Sequence, residues 1–188
     1  MRATLALLFA FLVGLAPSRT AAGQGAAGES AYAFAFVAIE GEPLPLARFR
    51  GRPLLVVNTA SLCGFTYQYA ALQRLWTRYR ERGLVVLAVP SNDFNQEPGT
   101  NAQIKTFCET NFALDFPMTE KVRVRGPDAH PFFLWLRREL GERAGPRWNF
   151  YKYLIDGQGR AVAVWPSSVE PEAPEIARAI ERALAGSG

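Results

Sequence analysis

The chain has 188 residues, 49% hydrophobic and 20% charged, which suits one globular domain able to bury a sizeable core. That composition excludes a disordered or collagen-like chain, and two cysteines are too few for a disulfide-built mini-scaffold. The net charge of +4 falls to +2, 19 basic against 17 acidic residues, once the two arginines of residues 1–22 are set aside. So weak and evenly spread a charge does not argue for nucleic acid. A single histidine leaves little for a serine–histidine triad or a histidine-rich metal site, so any chemistry must rest on cysteine, polar side chains or backbone.

Met1-Arg2 is a short positive start, and Ala3 to Ala16 is an apolar run interrupted only by Thr4 and Gly14. Pro17 to Thr20 ends it, and Thr20-Ala21-Ala22 places small residues where a signal peptidase reads. The apolar run has fourteen residues, short of the ~20 that a membrane span needs. Residues 1–22 are therefore expected to be a cleaved secretory signal, 23–30 a small-residue linker and 31–188 one domain. The expected location is periplasmic or secreted, without stable membrane insertion after cleavage; an uncleaved anchor is the alternative. Exported thiols tend to be oxidised.

Tyr32–Val37 and Leu44–Phe49 flank Glu40-Gly41-Glu42-Pro43 and read as a small hairpin. Pro53–Asn58 is a β-branched apolar run suited to a strand buried on both faces. A turn at Ser61–Phe65 precedes a helix over about Tyr67–Arg82, with Leu72, Leu75, Trp76 and Tyr79 on one face and Gly83 as its left-handed end. Leu84–Val89 is a second buried strand, completing a parallel βαβ unit. Pro98–Asn101 caps a second helix whose inner face carries Ile104, Phe107 and Cys108, and Asp128 is expected to cap a third, which buries Phe132, Phe133 and Leu136. His130, beside Pro131, reads as packing or capping. Trp148–Ile155 and Arg160–Trp165 around Asp156-Gly157-Gln158-Gly159 form an antiparallel hairpin, followed by a last helix over about Pro174–Leu184. The sum is an α/β, thioredoxin-like fold: a mixed central sheet flanked by helices.

Cys63 stands beyond the carboxyl end of the first parallel strand, where ligands gather in open α/β sheets and where the next helix presents free amides and its positive end. Cysteines so placed have pKa values lowered from ~8.5 toward ~7 or below, and the thiolate is the nucleophile. Dithiol reductases of this fold carry a second cysteine three residues on. Here that residue is Thr66, so no local dithiol closes, and Cys63 must attack something external and be resolved from elsewhere.

At these residues the chain resembles the glutathione peroxidase family. Asn58-Thr59-Ala60-Ser61-Leu62-Cys63-Gly64-Phe65-Thr66 is similar to the segment around the family's peroxidatic cysteine or selenocysteine, and Leu84–Asn92 to its second signature. Gln96-Glu97-Pro98-Gly99 and Trp148-Asn149-Phe150 resemble the motifs that bear its active-site glutamine, tryptophan and asparagine. The resemblance covers about residues 31–185. It implies reduction of hydrogen peroxide or organic hydroperoxides by Cys63, with Gln96, Trp148 and Asn149 as uncharged hydrogen-bonding partners, and neither cofactor nor metal. One departure concerns the loop before Gln96: Asp93 replaces a family glutamine and one residue is missing. A shorter loop bears on where Gln96 sits, and an inward carboxylate at Asp93 would oppose thiolate formation.

In family members that use thioredoxin, a resolving cysteine occupies the place of Cys108, 45 residues after Cys63. The resemblance thus implies a Cys63–Cys108 disulfide reduced by a thioredoxin-like dithiol, with glutathione as the other reductant. A plain core cysteine and a permanent structural disulfide are the competing readings of Cys108. Only seven residues, Gly141–Arg147, separate Leu140 from Trp148, where tetrameric members carry a long insertion. A monomer or weak dimer is therefore expected. An exported thiol–disulfide oxidoreductase and a non-catalytic thioredoxin-like binding module are the rival functions; Thr66 and the wide cysteine spacing speak against them.

Overall fold

The computed structural model describes residues 29–186; the expected signal and most of the linker, residues 1–28, lie outside the described residues. The N-terminal hairpin is β1 (Ala35–Val37) paired antiparallel with β2 (Pro43–Pro45). It is shorter than the apolar pattern suggests because 3-10 turns at Ala31–Ala33 and Leu46–Phe49 take its flanks. β3 (Leu54–Thr59) leads through the Cys63 loop into α1 (Gln68–Tyr79), a 3-10 turn and Gly83, whose φ of +105° reverses the chain into β4 (Val85–Pro90). α2 (Asn101–Phe112) and α3 (Pro131–Leu140) follow, then β5 (Lys152–Ile155), β6 (Ala161–Trp165) and α4 (Pro174–Ala185).

The sheet order is β4-β3-β5-β6, with β3 and β4 parallel and the remaining pairs antiparallel, which is the thioredoxin-like arrangement. Every residue of β3 and β4 is buried, as a strand covered on both faces requires. Their alternation divides the core. Leu54, Val56, Val85 and Leu87 pack with the hairpin and Phe132, Phe133 and Trp135 of α3. Leu55, Val57, Val86 and Ala88 pack with α1, α4, Ile104 and both cysteines.

Local chemistry sets the helix starts. Thr100 makes a reciprocal capping box: its Oγ1 accepts from Gln103 N at 3.3 Å, and Gln103 Oε1 accepts from Thr100 N at 2.9 Å. The cap expected at Asp128 is not formed; Asp128 pairs with Arg123 at 3.2 Å instead. His130 caps α3, its Nδ1 accepting from Phe132 N at 3.3 Å, because Pro131 fixes the first turn directly behind it. With Nδ1 accepting, Nε2–H donates to Ala35 O at 3.0 Å, and the ring stacks on Phe36. Burial lowers the His130 pKa from 6.5, the Ala35 carbonyl pulling the other way. A depressed folded pKa means that this contribution is present above 6.5 and lost as pH falls through the folded value. Thermal midpoints at pH 7.5 and 5.5 are expected to differ less in His130→Asn, a non-titrating cap, than in the wild type, by an amount worth about 1 kcal/mol at most.

In the Asp156–Arg160 turn, an added Cβ at Gly159 would lie 2.8 Å from two ring carbons of Tyr32, and φ there is +83°. Gly159→Ala is expected to cost about 2–3 kcal/mol, measured by denaturant unfolding, since both strain and overlap oppose it.

Candidate active site

The loop between β3 and α1 is pinned by Thr66. Its hydroxyl accepts from Cys63 N at 3.1 Å and reaches the carbonyls of Cys63 (2.6 Å) and Ala60 (3.0 Å), to one of which it donates. Cys63 is 6% exposed, and its Sγ accepts the Phe65 N–H at 3.4 Å, an amide of the turn that opens α1.

The segment before α2 grips the same loop. Leu62 N donates to Gln96 O at 3.0 Å, while Ser61 gives both its N–H (2.7 Å) and its hydroxyl (3.0 Å) to Glu97 Oε2. Glu97 is buried; burial raises its pKa, and the Ser61 bonds and Lys121 pull it back. Glu97 N donates to Asn92 Oδ1 at 2.9 Å, and Lys121 Nζ to the carbonyls of Glu97 (3.2 Å) and Gly99 (2.7 Å).

The third side comes from residues 148–151. A strand from Trp148 was the expectation, but β5 begins only at Lys152, because Phe150 adopts φ +64° and turns the chain. Asn58 of β3 holds this turn: its Nδ2 donates to Trp148 O, its Oδ1 accepts from Tyr151 N (both 3.0 Å), and its carbonyl accepts from Phe150 N at 2.6 Å. Asn149 Nδ2 then donates to Gln96 Oε1 at 2.9 Å, leaving the Gln96 NH2 to donate elsewhere. Asn149 O accepts from Ser167 Oγ at 2.5 Å, and Asn149 Oδ1 is buried without a hydrogen bond among the described residues. Lys152 ties the loop that carries Ser167, its Nζ donating to Ser167 O at 3.2 Å and Val169 O at 2.5 Å; burial pushes its pKa down to about 8 against the pull of Glu170. Trp148 is 39% exposed and lies against Phe94, ring centres 5.4 Å apart.

The structure thus joins the Cys63 loop, Gln96 and Asn149 through hydrogen bonds and sets Trp148 at their edge. Within the described residues, Sγ itself is held only by Phe65. The shortened loop keeps Gln96 in this assembly by putting Asn95 at φ +55°. Asp93 points away, its Oδ2 accepting from Val124 N (2.7 Å) and Arg125 N (3.0 Å). Sequence reasoning missed Asn58, Ser61 and Glu97 as supports; a lone amide in an apolar strand was the available signal for Asn58.

Cys63 and Cys108 are both free thiols in this structure. Cys108 is fully buried on α2, and burial pushes its thiol up to about 12. The buried hydroxyl of Tyr69 lies beside it and that of Thr59 beside Tyr69, neither with good hydrogen-bond geometry to a neighbour among the described residues. A groove of about 270 Å³ opens beside Leu62, with Pro98, Ile104 and Phe107 in its walls. A larger hollow, about 490 Å³, lies away from this chemistry between the N-terminal hairpin and the end of α2.

A thioredoxin-like fold with one cysteine at the β3–α1 turn, a loop bonded to the segment whose Gln96 amide meets Asn149, and threonine where a dithiol needs sulfur defines a thiol peroxidase. The family model described as "Glutathione peroxidase" matches residues 31–137. The hydroperoxy fatty acid reductase gpx1 of Synechocystis sp. is 45% identical over 167 residues, 84% of this chain and 98% of the relative. The glutathione peroxidase-like peroxiredoxin gpx1 of Schizosaccharomyces pombe is 41% identical over 138 residues, 71% and 86% of the two chains. The crystal structure of T. cruzi GPX1 superposes with a TM-score of 0.68 at 32% identity, covering 85% of this chain and 99% of that one. The chain belongs to the glutathione peroxidase family, and it is a peroxidase of hydrogen peroxide or organic hydroperoxides that serves in antioxidant defence.

Proposed function

We propose that Cys63 is the peroxidatic residue, that Gln96, Trp148 and Asn149 stabilise the charge that moves during its attack, and that Cys108 resolves the product. The observation that carries this reading is the Cys63 sulfur at the head of α1, on a loop hydrogen-bonded to the segment that bears Gln96, whose side chain in turn accepts from Asn149. The thiolate attacks the distal peroxide oxygen, the O–O bond breaks, and the alkoxide or hydroxide leaves with a proton as alcohol or water. Neutral donors around that path favour the transition state without ionising themselves. Cys63 becomes a sulfenic acid.

Cys108 Sγ then bonds to Cys63 Sγ, and the sulfenic oxygen leaves with the thiol proton as water. While α2 is packed, burial keeps Cys108 protonated. Opening α2 would both deliver the thiol and return it toward its ordinary acidity. The helix is lightly held: only Ile104 and Cys108 of its twelve residues are buried, and its Lys105 pairs with Glu40 and Glu109 are exposed ones worth little. A thioredoxin-like dithiol would reduce the disulfide by exchange. We favour it over glutathione because the described surface around Cys63 offers apolar Leu62, Tyr67 and Trp148. We further propose that residues 1–22 are removed on export to the periplasm or medium, and that the protein works as a monomer or weak dimer.

Purified protein beginning at Gly23 should consume peroxide with thioredoxin and its reductase, and more slowly with glutathione; a hydroperoxy fatty acid, the substrate named for the Synechocystis relative, is the organic peroxide to set beside hydrogen peroxide. No consumption with either reductant would end this reading. Amino-terminal sequencing of exported protein should begin close to Gly23, whereas intact Met1 in the membrane fraction would establish an anchor.

A further inference from the structure

We propose that Glu97 is a positioning residue for peroxide reduction, its carboxylate holding the Cys63 loop in register with Gln96. The inference rests on the reading of Cys63 as the peroxidatic residue. Two adjacent rungs make the grip: Ser61 N and Oγ on Glu97 Oε2, and Leu62 N on Gln96 O. Cys63 is the next residue on one side, and the Gln96 side chain leaves from the other.

Glu97 cannot itself drift, because Asn92 Oδ1 holds its N–H and Lys121 Nζ its carbonyl. The capping box at Thr100 begins α2 three residues later. On the far side, the Thr66 hydroxyl holds Cys63 N. The loop that presents the sulfur is therefore fixed at both ends, and among the described residues Glu97 supplies the only side-chain acceptor at the Ser61 end. Attack on a peroxide is sensitive to this because the sulfur, the distal oxygen and the donors that receive the departing charge must align together. A misplacement of about 1 Å costs on the order of 10²-fold in such reactions. Displacing iodide from iodoacetamide needs the sulfur, but no donor set for an oxyanion.

Burial of an acid with a raised pKa makes the charge a burden on the fold, so the acceptor oxygen rather than the charge is the functional part. Glutamine keeps an acceptor with two lone pairs, and leucine keeps the bulk without it.

The test measures two rates on reduced, full-length mature protein: oxidation of Cys63 by hydrogen peroxide, and alkylation of Cys63 by iodoacetamide, both followed by mass spectrometry. Glu97→Leu should lower the peroxide rate constant about 30-fold or more and Ser61→Ala about 3- to 10-fold, while Glu97→Gln recovers to within about 3-fold of wild type. Alkylation should change by less than about 3-fold in all three, which loss of folded protein would not produce. Should Glu97→Leu fail to fold, Ser61→Ala and Glu97→Gln decide. A peroxide rate unchanged in Ser61→Ala, alkylation falling in step with peroxide reduction, or a Glu97→Gln protein as slow as Glu97→Leu would overturn the proposal. A wild-type protein in which peroxide leaves Cys63 unmodified would instead defeat the reading of Cys63, and this inference with it.

Discussion

Cys63→Ser is expected to lower peroxidase turnover by about two orders of magnitude or more, equivalent to roughly 3 kcal/mol or more of transition-state stabilisation. A serine hydroxyl at neutral pH is neither ionised nor soft, and none of Gln96, Trp148 and Asn149 can take over attack on the O–O bond. The fold should persist. Cys63 contributes little apolar area beyond one sulfur, and the Phe65 N–H that now points at Sγ can donate to Oγ instead. Steady-state peroxide consumption beside circular dichroism separates the two effects. Substantial turnover by a folded Cys63→Ser protein would remove Cys63 from the mechanism.

Cys108→Ser should still consume the first equivalent of peroxide, since attack by Cys63 does not involve it, but thioredoxin-supported turnover should fall by at least about tenfold. The stranded sulfenic acid would drift to sulfinic acid under excess peroxide, visible by mass as two added oxygens, while the wild type loses two hydrogens on closing its disulfide. The stability change should stay near about 1 kcal/mol, as for a small buried polar swap, rather than the 2–5 kcal/mol of a lost structural disulfide. The pH dependence has a definite sign. The folded pKa of Cys108 lies above its unfolded value of 9.0, near 12, so its contribution is whole below 9.0 and drains away toward 12. Wild type should therefore lose stability more steeply than Cys108→Ser above pH 9. Full thioredoxin-dependent turnover without Cys108 would mean direct reduction of Cys63.

The elements that sequence made legible are those set by periodicity and local chemistry. The β-branched runs at 54–59 and 85–90 read as strands covered on both sides, and Gly83, with its positive φ, ends the 3-10 turn that follows α1. Thr100 and Gln103 stand three apart before Ile104, a pattern that caps a helix whatever surrounds it. What stayed hidden depends on partners far along the chain. Asn58 reads as an oddity in a strand until residues 148–151, some ninety positions on, turn back over it. Phe150 shows nothing of its left-handed backbone, because aromatic residues rarely adopt it. Asp93 looked like a threat to a thiolate; only the fold shows two amides of residues 124 and 125 in front of it. Asp128 was a better cap by type than His130, and lost because Pro131 starts the helix two residues later than Asp128 could serve.

Thr66 stands at a fork in what this scaffold can become. The hydroxyl that fastens the Cys63 turn occupies the very position a thiol would need for disulfide exchange with Cys63. A sulfhydryl there gains a second redox centre but is a feeble hydrogen-bonding group, with a longer reach and a weaker donor than oxygen. The two chemistries of this architecture are thus mutually exclusive at one side chain: either the turn is tightened around a solitary sulfur that must meet its oxidant, or it carries a neighbouring sulfur and accepts a looser turn. Redesign toward exchange chemistry must therefore find another anchor for the Cys63 amide.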